Sequence, residues 1–489
     1  MLRSLVPSFV ADAVWPEHRQ TWKLHPTSYL DGLRGIASVV VFICHYTEEN
    51  HPSLIPSYGL NPDNSPSSWI QLPFVRIIFS GRPMVHIFFV ISGFVLSWKP
   101  VKAIHSRNLD RCFSILSSSA FRRPIRLFGP CVVSTFLIML MVQCGWLYTP
   151  LPTLTEQFWA WKNAVFHSIT WPWAWDYDLR PGYDVHLWTI PIEFAHSMLL
   201  FMLILVLSRL RQLVRQSACV LLMLYFLCCG KWAAFEFTAG LFLAECYLLL
   251  QGTHSKTWES SETALSPYPA PPKQQPLLGS IAWTSLHLSI VTTAIFIGGW
   301  PNFGAEDTPG IHSLLALTPE PFASAADTDP LAPQKFWFAV AAALAVWSCG
   351  ELRAVRRFLE GPVAQYCGRV SYAVYIVHGP VLAVLQECVV GRPAVVVPLG
   401  EPPGEEGFVP AAGPATGIRA LVGGEGPAQR TVAWLVGLVV LAPAVMWAAD
   451  VFWRVVDNPM IALGRRVEGV CLEDVDEYRP PRQGFALAG

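Results

Sequence analysis

Ten stretches of this chain are apolar over lengths that reach, or come close to, what a bilayer crossing needs. Eight lie near 131–147, 190–207, 217–230, 232–250, 279–298, 336–350, 370–390 and 431–453. Shorter ones at 36–46 and 84–98 are interrupted by Ser, Gly or His. A hydrocarbon core is matched by about 20 apolar residues in a helix. Only 14% of residues are charged, against about 25% in a soluble protein, while 53% are hydrophobic and mean hydropathy is +0.39. The expected fold is all-α, a polytopic transmembrane bundle of about ten spans. A net charge of −1 argues against nucleic acid or an acidic macromolecule as partner and leaves membrane lipids as the surroundings.

Sidedness follows from the basic residues. If the first segment runs outward, segments 1–34, 99–126, 208–216, 251–278, 351–369 and 454–489 are cytosolic and hold 25 of the 34 Lys and Arg. That asymmetry predicts both termini in the cytosol. The N-terminus has too short an apolar core and too early an acidic residue for a secretory signal, so residues 1–27 read as a cytosolic tail. A single membrane domain is expected over 28–466. Within it, 251–278 is a polar, Pro- and Ser-rich cytosolic linker expected to be mobile. The stretches 299–335 and 391–430 face the lumen as lids or insertions, and 467–489 is an acidic cytosolic tail. The 12 Cys are scattered without paired spacing and read as buried apolar groups, so no metal is expected.

Against this apolar background a few polar residues stand out. Arg34 and His45 are eleven residues apart, which on a helix returns to within roughly 20° of the same direction, about 16 Å along the axis. Charged or titratable groups in such segments are costly and line cavities or pathways. The plainer alternative pairs Arg34 with Asp31 and lets His45 end the helix. In the second segment Ser92-Gly93 invites close helix packing, and His86 reads as a wet residue near the lumenal entrance. Phe121-Arg-Arg-Pro-Ile-Arg126 places Arg123 and Arg126 three apart at the expected start of the third span, with Pro124 in its first turn. Two guanidinium forks on one face suit a phosphorylated cofactor, or serve as ordinary positive-inside anchors.

The fourth span opens with His186-Leu-Trp188-Thr-Ile-Pro191-Ile-Glu193, which puts His186 and Glu193 seven apart on one expected face. A carboxylate there can orient a histidine, bind a hydroxyl or relay a proton. Trp171-Pro-Trp173-Ala-Trp175 before it reads as an interfacial aromatic belt, the alternative being a surface that stacks on a sugar or polycyclic ring. Ser371, Tyr375 and His378 form a polar stripe in the ninth span, read as support for a site.

Taken in order, these pieces resemble the acyltransferase-3 family of integral membrane acyltransferases. The resemblance rests on YLDGLRGIASVVVFICH (29–45), VHIFFVISGF (85–94), RRPIR (122–126), HLWTIPIEF (186–194), Phe237-Thr-Ala-Gly240, SYAVYIVHGP (371–380) and DNPMIALGRR (457–466). It covers roughly 28–466. It implies an O-acyltransferase using cytosolic acyl-CoA, acetyl-CoA first, on a hydroxylated sugar, lipid or small natural product. It implies Arg34, Arg123 and Arg126 as donor-binding residues and His45 with Glu193 as catalytic ones, Glu193 orienting His45. Asp31, Ser92, His186, Trp188, Tyr375 and His378 support them. Pro191 departs from the pattern and is expected to kink the fourth span. The rivals are a transporter using the same polar track without chemistry and a silent scaffold. By analogy the host membrane is the endoplasmic reticulum or another secretory one.

Overall fold

The computed structural model describes residues 24–61, 66–262, 277–391, 416–423 and 426–472, together with 6–8, 10 and 14. Each of the ten apolar stretches is helical. The longer helices are α1 (Ser28–Asn50), α2 (Gly81–His105), α3 (Leu109–Gln143), α4 (Leu154–Ala164), α5 (Thr189–Leu207), α6 (Gln212–Cys228) and α7 (Trp232–Glu262). They continue with α8 (Leu277–Gly298), α9 (Ala332–Glu351), α10 (Arg353–Leu359), α11 (Pro362–Val389), α12 (Pro427–Phe452) and α13 (Asn458–Cys471). Strands are absent among the described residues, where the only pairing of that kind is one isolated bridge, Pro56 with Phe303.

Seven helical stretches are long and apolar enough to span a membrane: α2, α3, α5, α7, α8, α11 and α12 continued through α13. The pair α9 and α10, bent by 95°, is an eighth. Of the other two apolar stretches, α6 is 17 residues long and α1 carries Asp31, Arg34, Glu48 and Glu49. The chain is thus a helical, multi-pass membrane protein.

Two crossings set the frame, and glycine makes both. Where α1 meets α11, a Cβ on Gly35 would run into the backbone of Cys367 and Gly368, and one on Gly368 into the carbonyl of Asp31. Where α2 meets α7, Gly93 lies against the backbone of Phe237, and Gly240 against that of Val90 and Phe94. Small residues let helix axes approach where lipid supplies no hydrophobic drive. Gly93 therefore has the packing role expected of it.

Three boundaries differ from expectation. The loop 99–126 shrinks to Ser106–Asn108, because α2 runs on to His105 and α3 begins at Leu109, capped by the Asn108 side chain accepting from the Arg111 N–H at 2.9 Å. Pro124 consequently sits inside α3, not in its first turn. Helix α7 continues to Glu262 through the first half of the expected linker, which offers no proline before Pro267 to stop it. Residues 263–276, 392–415 and 473–489, and most of 1–23, lie outside the described residues. Finally, Pro191 falls in the first turn of α5, where its missing N–H removes no helical bond.

Candidate active site

Two cavities lie end to end along α1. One, of about 300 Å³, is lined by Arg34, Ser92, Arg123, Arg126, Glu193, Arg369 and Asp457 among others. The second, of about 410 Å³, is lined by His45, Glu48, Arg82, His186, Trp188 and Trp232 among others. Val85 and Tyr375 line both. The one-helix spacing of Arg34 and His45 therefore puts one residue in each chamber.

In the first chamber four guanidinium groups face two carboxylates, Glu193 and Asp457. Arg34 donates from Nε to Ser371 Oγ at 3.0 Å and from Nη2 to the Gly368 carbonyl at 3.1 Å, and pairs with Asp31 at 3.3 Å. Its ion pair with Asp31 and its place in the chamber coexist. Arg123, 8% exposed, donates to Ser197 Oγ at 3.0 Å and to Glu193 Oε1 at 2.7 Å. Ser92 donates to the same oxygen at 2.9 Å. Arg369 stacks on the Trp453 ring, 5.3 Å from its centroid. The surplus of positive charge fits a polyanion, and a guanidinium fork binds phosphate through paired N–H bonds.

The second chamber is built around three histidines. His45 Nδ1 lies 3.1 Å from Glu48 Oε2, and His186 Nδ1 lies 2.9 Å from Asp184 Oδ1. His378 Nδ1 faces the carbonyls of Val374 and Tyr375 at 3.1 and 2.8 Å. The ring centroids are 4.3 Å apart for His45 and His186, 4.7 Å for His186 and His378, and 5.4 Å for His45 and His378. Carboxylates and carbonyls only accept, so each Nδ1 carries a proton, and in the neutral ring the lone pair is on Nε2. An Nε2 lone pair on a ring fixed by a carboxylate is the form a general base needs. The chamber's formal charges balance, Arg82, Arg180 and Lys335 against Glu48, Asp176 and Asp178, and Trp188, Trp232 and Phe338 add aromatic walls.

Tyr375 marks the junction. Its hydroxyl shares a hydrogen bond with Thr189 Oγ1 at 2.6 Å and also reaches the His186 carbonyl.

Three readings of the site residues are corrected. Glu193 does not orient His45: it is held by Arg123 and Ser92 in the arginine chamber, and Glu48 has the position beside His45. His186 and Glu193 do not share a chamber, because Val185–Trp188 is a 3₁₀ turn before α5 and its tighter pitch breaks the seven-residue phase. His86 is not wet. It is 5% exposed, hydrogen-bonded to Glu236 of α7 and packed on Trp232 at 4.9 Å, since α2 is enclosed by α7 and α9. Glu48, Asp184, Arg369 and Asp457 were not singled out from sequence. Glu48 and Asp184 carried a local signal, three residues from His45 and two from His186, and Asp457 opens the DNPMIALGRR motif.

The fold and these chambers define a multi-pass helical membrane protein with an arginine-rich pocket and a histidine pocket that share Val85 and Tyr375 in their walls. The acyltransferase-3 family, described as an acyltransferase domain, matches residues 27–450. The chain belongs to that family and is an O-acyltransferase. It is 30% identical over 408 residues to O-acetyltransferase PaAT-1 of Phomopsis amygdali, covering 75% of this chain and 74% of that one. It is 25% identical over 405 residues to Acyltransferase R4 of a Phoma species, with 72% and 82% covered. It is 24% identical over 406 residues to Acyltransferase clz18 of Cochliobolus lunatus, again with 72% and 82% covered. No solved structure matches.

Proposed function

We propose that the protein moves an acyl group, acetyl first, from acyl-CoA to a hydroxyl of a carbohydrate, lipid or secondary metabolite. The observation carrying this is the meeting of the two chambers at Val85 and Tyr375. CoA's phosphates are held by Arg34, Arg123 and Arg126, with Arg369 beside them, and its thioester arm lies along α1 toward His45. Glu193 positions Arg123 through the bond at 2.7 Å.

In the second chamber His45 Nε2 takes the proton of the acceptor hydroxyl as its oxygen attacks the thioester carbonyl carbon. The tetrahedral intermediate collapses, the C–S bond breaks, and the leaving thiolate of CoA takes the proton back from His45. Glu48 holds the Nδ1–H throughout, so the imidazolium forms beside a carboxylate. The balanced charge of this chamber suits a neutral acceptor, and its aromatic walls suit a sugar ring or polycycle. The printed name of the Phomopsis amygdali relative, an O-acetyltransferase, supports acetyl and oxygen. The cytosolic concentration of Lys and Arg supports cytosolic termini and donor entry, in an endoplasmic-reticulum or other secretory membrane.

The test is release of free CoA from acetyl-CoA by purified protein with a panel of hydroxylated acceptors. Acceptor-dependent release should fall about 10²–10⁴-fold in His45→Ala. In Arg126→Ala the KM for acetyl-CoA should rise about 10–100-fold, the worth of a hydrogen bond to a charged group. Release that survives intact in His45→Ala removes His45 as base, and absence of release with every acceptor overturns the proposal.

A further inference from the structure

We propose that His45, His186 and His378 form a binding site for one divalent transition-metal ion of the Zn²⁺ class, and that the bound ion blocks acyl transfer. One ring nitrogen from each histidine lies within 4.8 Å of those of the other two. Every Nδ1 is already committed to an acceptor-only partner, Glu48, Asp184 or backbone carbonyl, so the nitrogen left for coordination is Nε2 in all three. Nε2 of His378 is buried with no hydrogen-bond partner among the described residues, and its residue is fully enclosed. Lone pairs gathered without a donor repel one another, and a cation between them removes that cost.

The dimensions fit. At Zn–N distances of about 2.0–2.1 Å and tetrahedral angles, ligand nitrogens lie about 3.4 Å apart and ring centroids about 5 Å apart. The observed centroids, 4.3 to 5.4 Å apart, bracket that value, so small side-chain rotations close the nitrogens. The outer layer is in place as well: two of the three rings are backed by carboxylates, the arrangement that fixes the tautomer of metal-bound histidine. An all-imidazole set selects Zn²⁺, Cu²⁺ or Ni²⁺ over Mg²⁺ or Ca²⁺. Sequence spacing gives no hint of the site, because its ligands come from α1, the turn before α5, and α11.

The inhibitory consequence rests on the reading of His45 as general base. A nitrogen whose lone pair is given to a metal accepts no proton, so occupancy and transfer exclude each other.

The experiment titrates Co²⁺ into chelator-treated full-length protein in detergent and follows the visible absorption of tetrahedral Co²⁺, displaced by Zn²⁺. Saturable uptake of one ion per chain is expected. The band should vanish in His378→Ala and in the less disruptive His186→Gln, while Asp184→Asn lowers affinity about 10–100-fold. Absence of a saturable band, or a band unchanged in both histidine variants, overturns the site. In parallel, Zn²⁺ should inhibit acceptor-dependent CoA release and chelator should restore it. If chelator instead abolishes release and Zn²⁺ restores it, the blocking role is overturned. Undiminished transfer by His45→Ala would sink the general-base reading alone, and the Co²⁺ band would still decide the metal site.

Discussion

Glu48 and Gly379 are the residues on which the state of the histidine chamber turns. Glu48 accepts from His45 at 3.1 Å while Asn302 donates to its other oxygen at 3.3 Å, so the carboxylate is itself held in place. In the proposed reaction its charge favours the imidazolium that forms as the acceptor loses its proton. Glu48→Gln keeps the shape and removes the charge. It should lower kcat about 10–100-fold and leave the KM for acyl-CoA unchanged, which steady-state CoA release reads directly. A rise in KM with kcat intact would mean that Glu48 serves binding. Gly379 acts by its size. A Cβ there would stand 2.5 Å from His186 Nδ1 and 3.4 Å from Asp184 Oδ1, so Gly379→Ala pushes the ring off its carboxylate. The proposed Co²⁺ band should weaken in that variant while donor binding in the other chamber stays normal. These residues also mark the limit of what the sequence discloses. Arg34, Arg123 and His45 are legible because each pairing lies on one helix, where spacing is geometry. The contacts among His45, His186 and His378 join three elements, and no local period records them.

At the scale of elements, the crossings and the buried ion pairs decide stability. Glu245 of α7 is fully buried and binds Arg215 of α6, itself 5% exposed, with Arg215 Nη2 donating at 3.2 Å. His105 of α2 lies 2.7 Å from the same carboxylate. Removing one partner leaves a buried charge uncompensated, so Glu245→Ala should cost about 3–5 kcal/mol by denaturation in detergent. The double variant Arg215→Met, Glu245→Leu should recover most of it, and a single variant as stable as wild type would show that the triad carries little.

The far end of α1 carries a titratable contact outside the spans. Burial, then the positive charge of Arg430, pulls His51 down to about 4, and its ring bonds Thr431 Oγ1 at 3.0 Å and packs on Trp434 of α12. A histidine depressed in the folded state leaves the unfolded chain holding more protons between about pH 4 and 6.5. Stability should therefore fall as pH drops through that window, and the difference in Tm between pH 7 and pH 5 should shrink in His51→Asn. Element existence was legible from apolar run length, whereas the ends of α2 and α3 were not. Pro100 and Pro124 look like boundaries in sequence, but the helices continue through both because packing on neighbours holds the backbone that proline would release.

For the whole molecule, the proposed function makes the reaction a passage from one chamber to the other. In the proposed reaction a donor bound by guanidinium groups at one end of α1 presents its acyl group to a base about 16 Å further along the axis, and Val85 and Tyr375 are the residues that line both cavities. Tyr375 is fixed through Thr189 and the His186 carbonyl, which leaves Val85 of α2 as the side chain free to set the width. On that reading Val85 sets which acyl groups pass, without touching either the phosphates or the base. Val85→Phe should cut acetyl transfer at least tenfold while acetyl-CoA binding, measured with His45→Ala in the same background, stays within a factor of a few. Val85→Ala should have the opposite sign for longer donors, raising kcat/KM for butyryl-CoA relative to acetyl-CoA by about 10-fold, the worth of one or two methylene groups accommodated. If both variants keep the wild-type preference for acyl length, the acyl group takes another route, and the two chambers serve separate ligands without a shared passage.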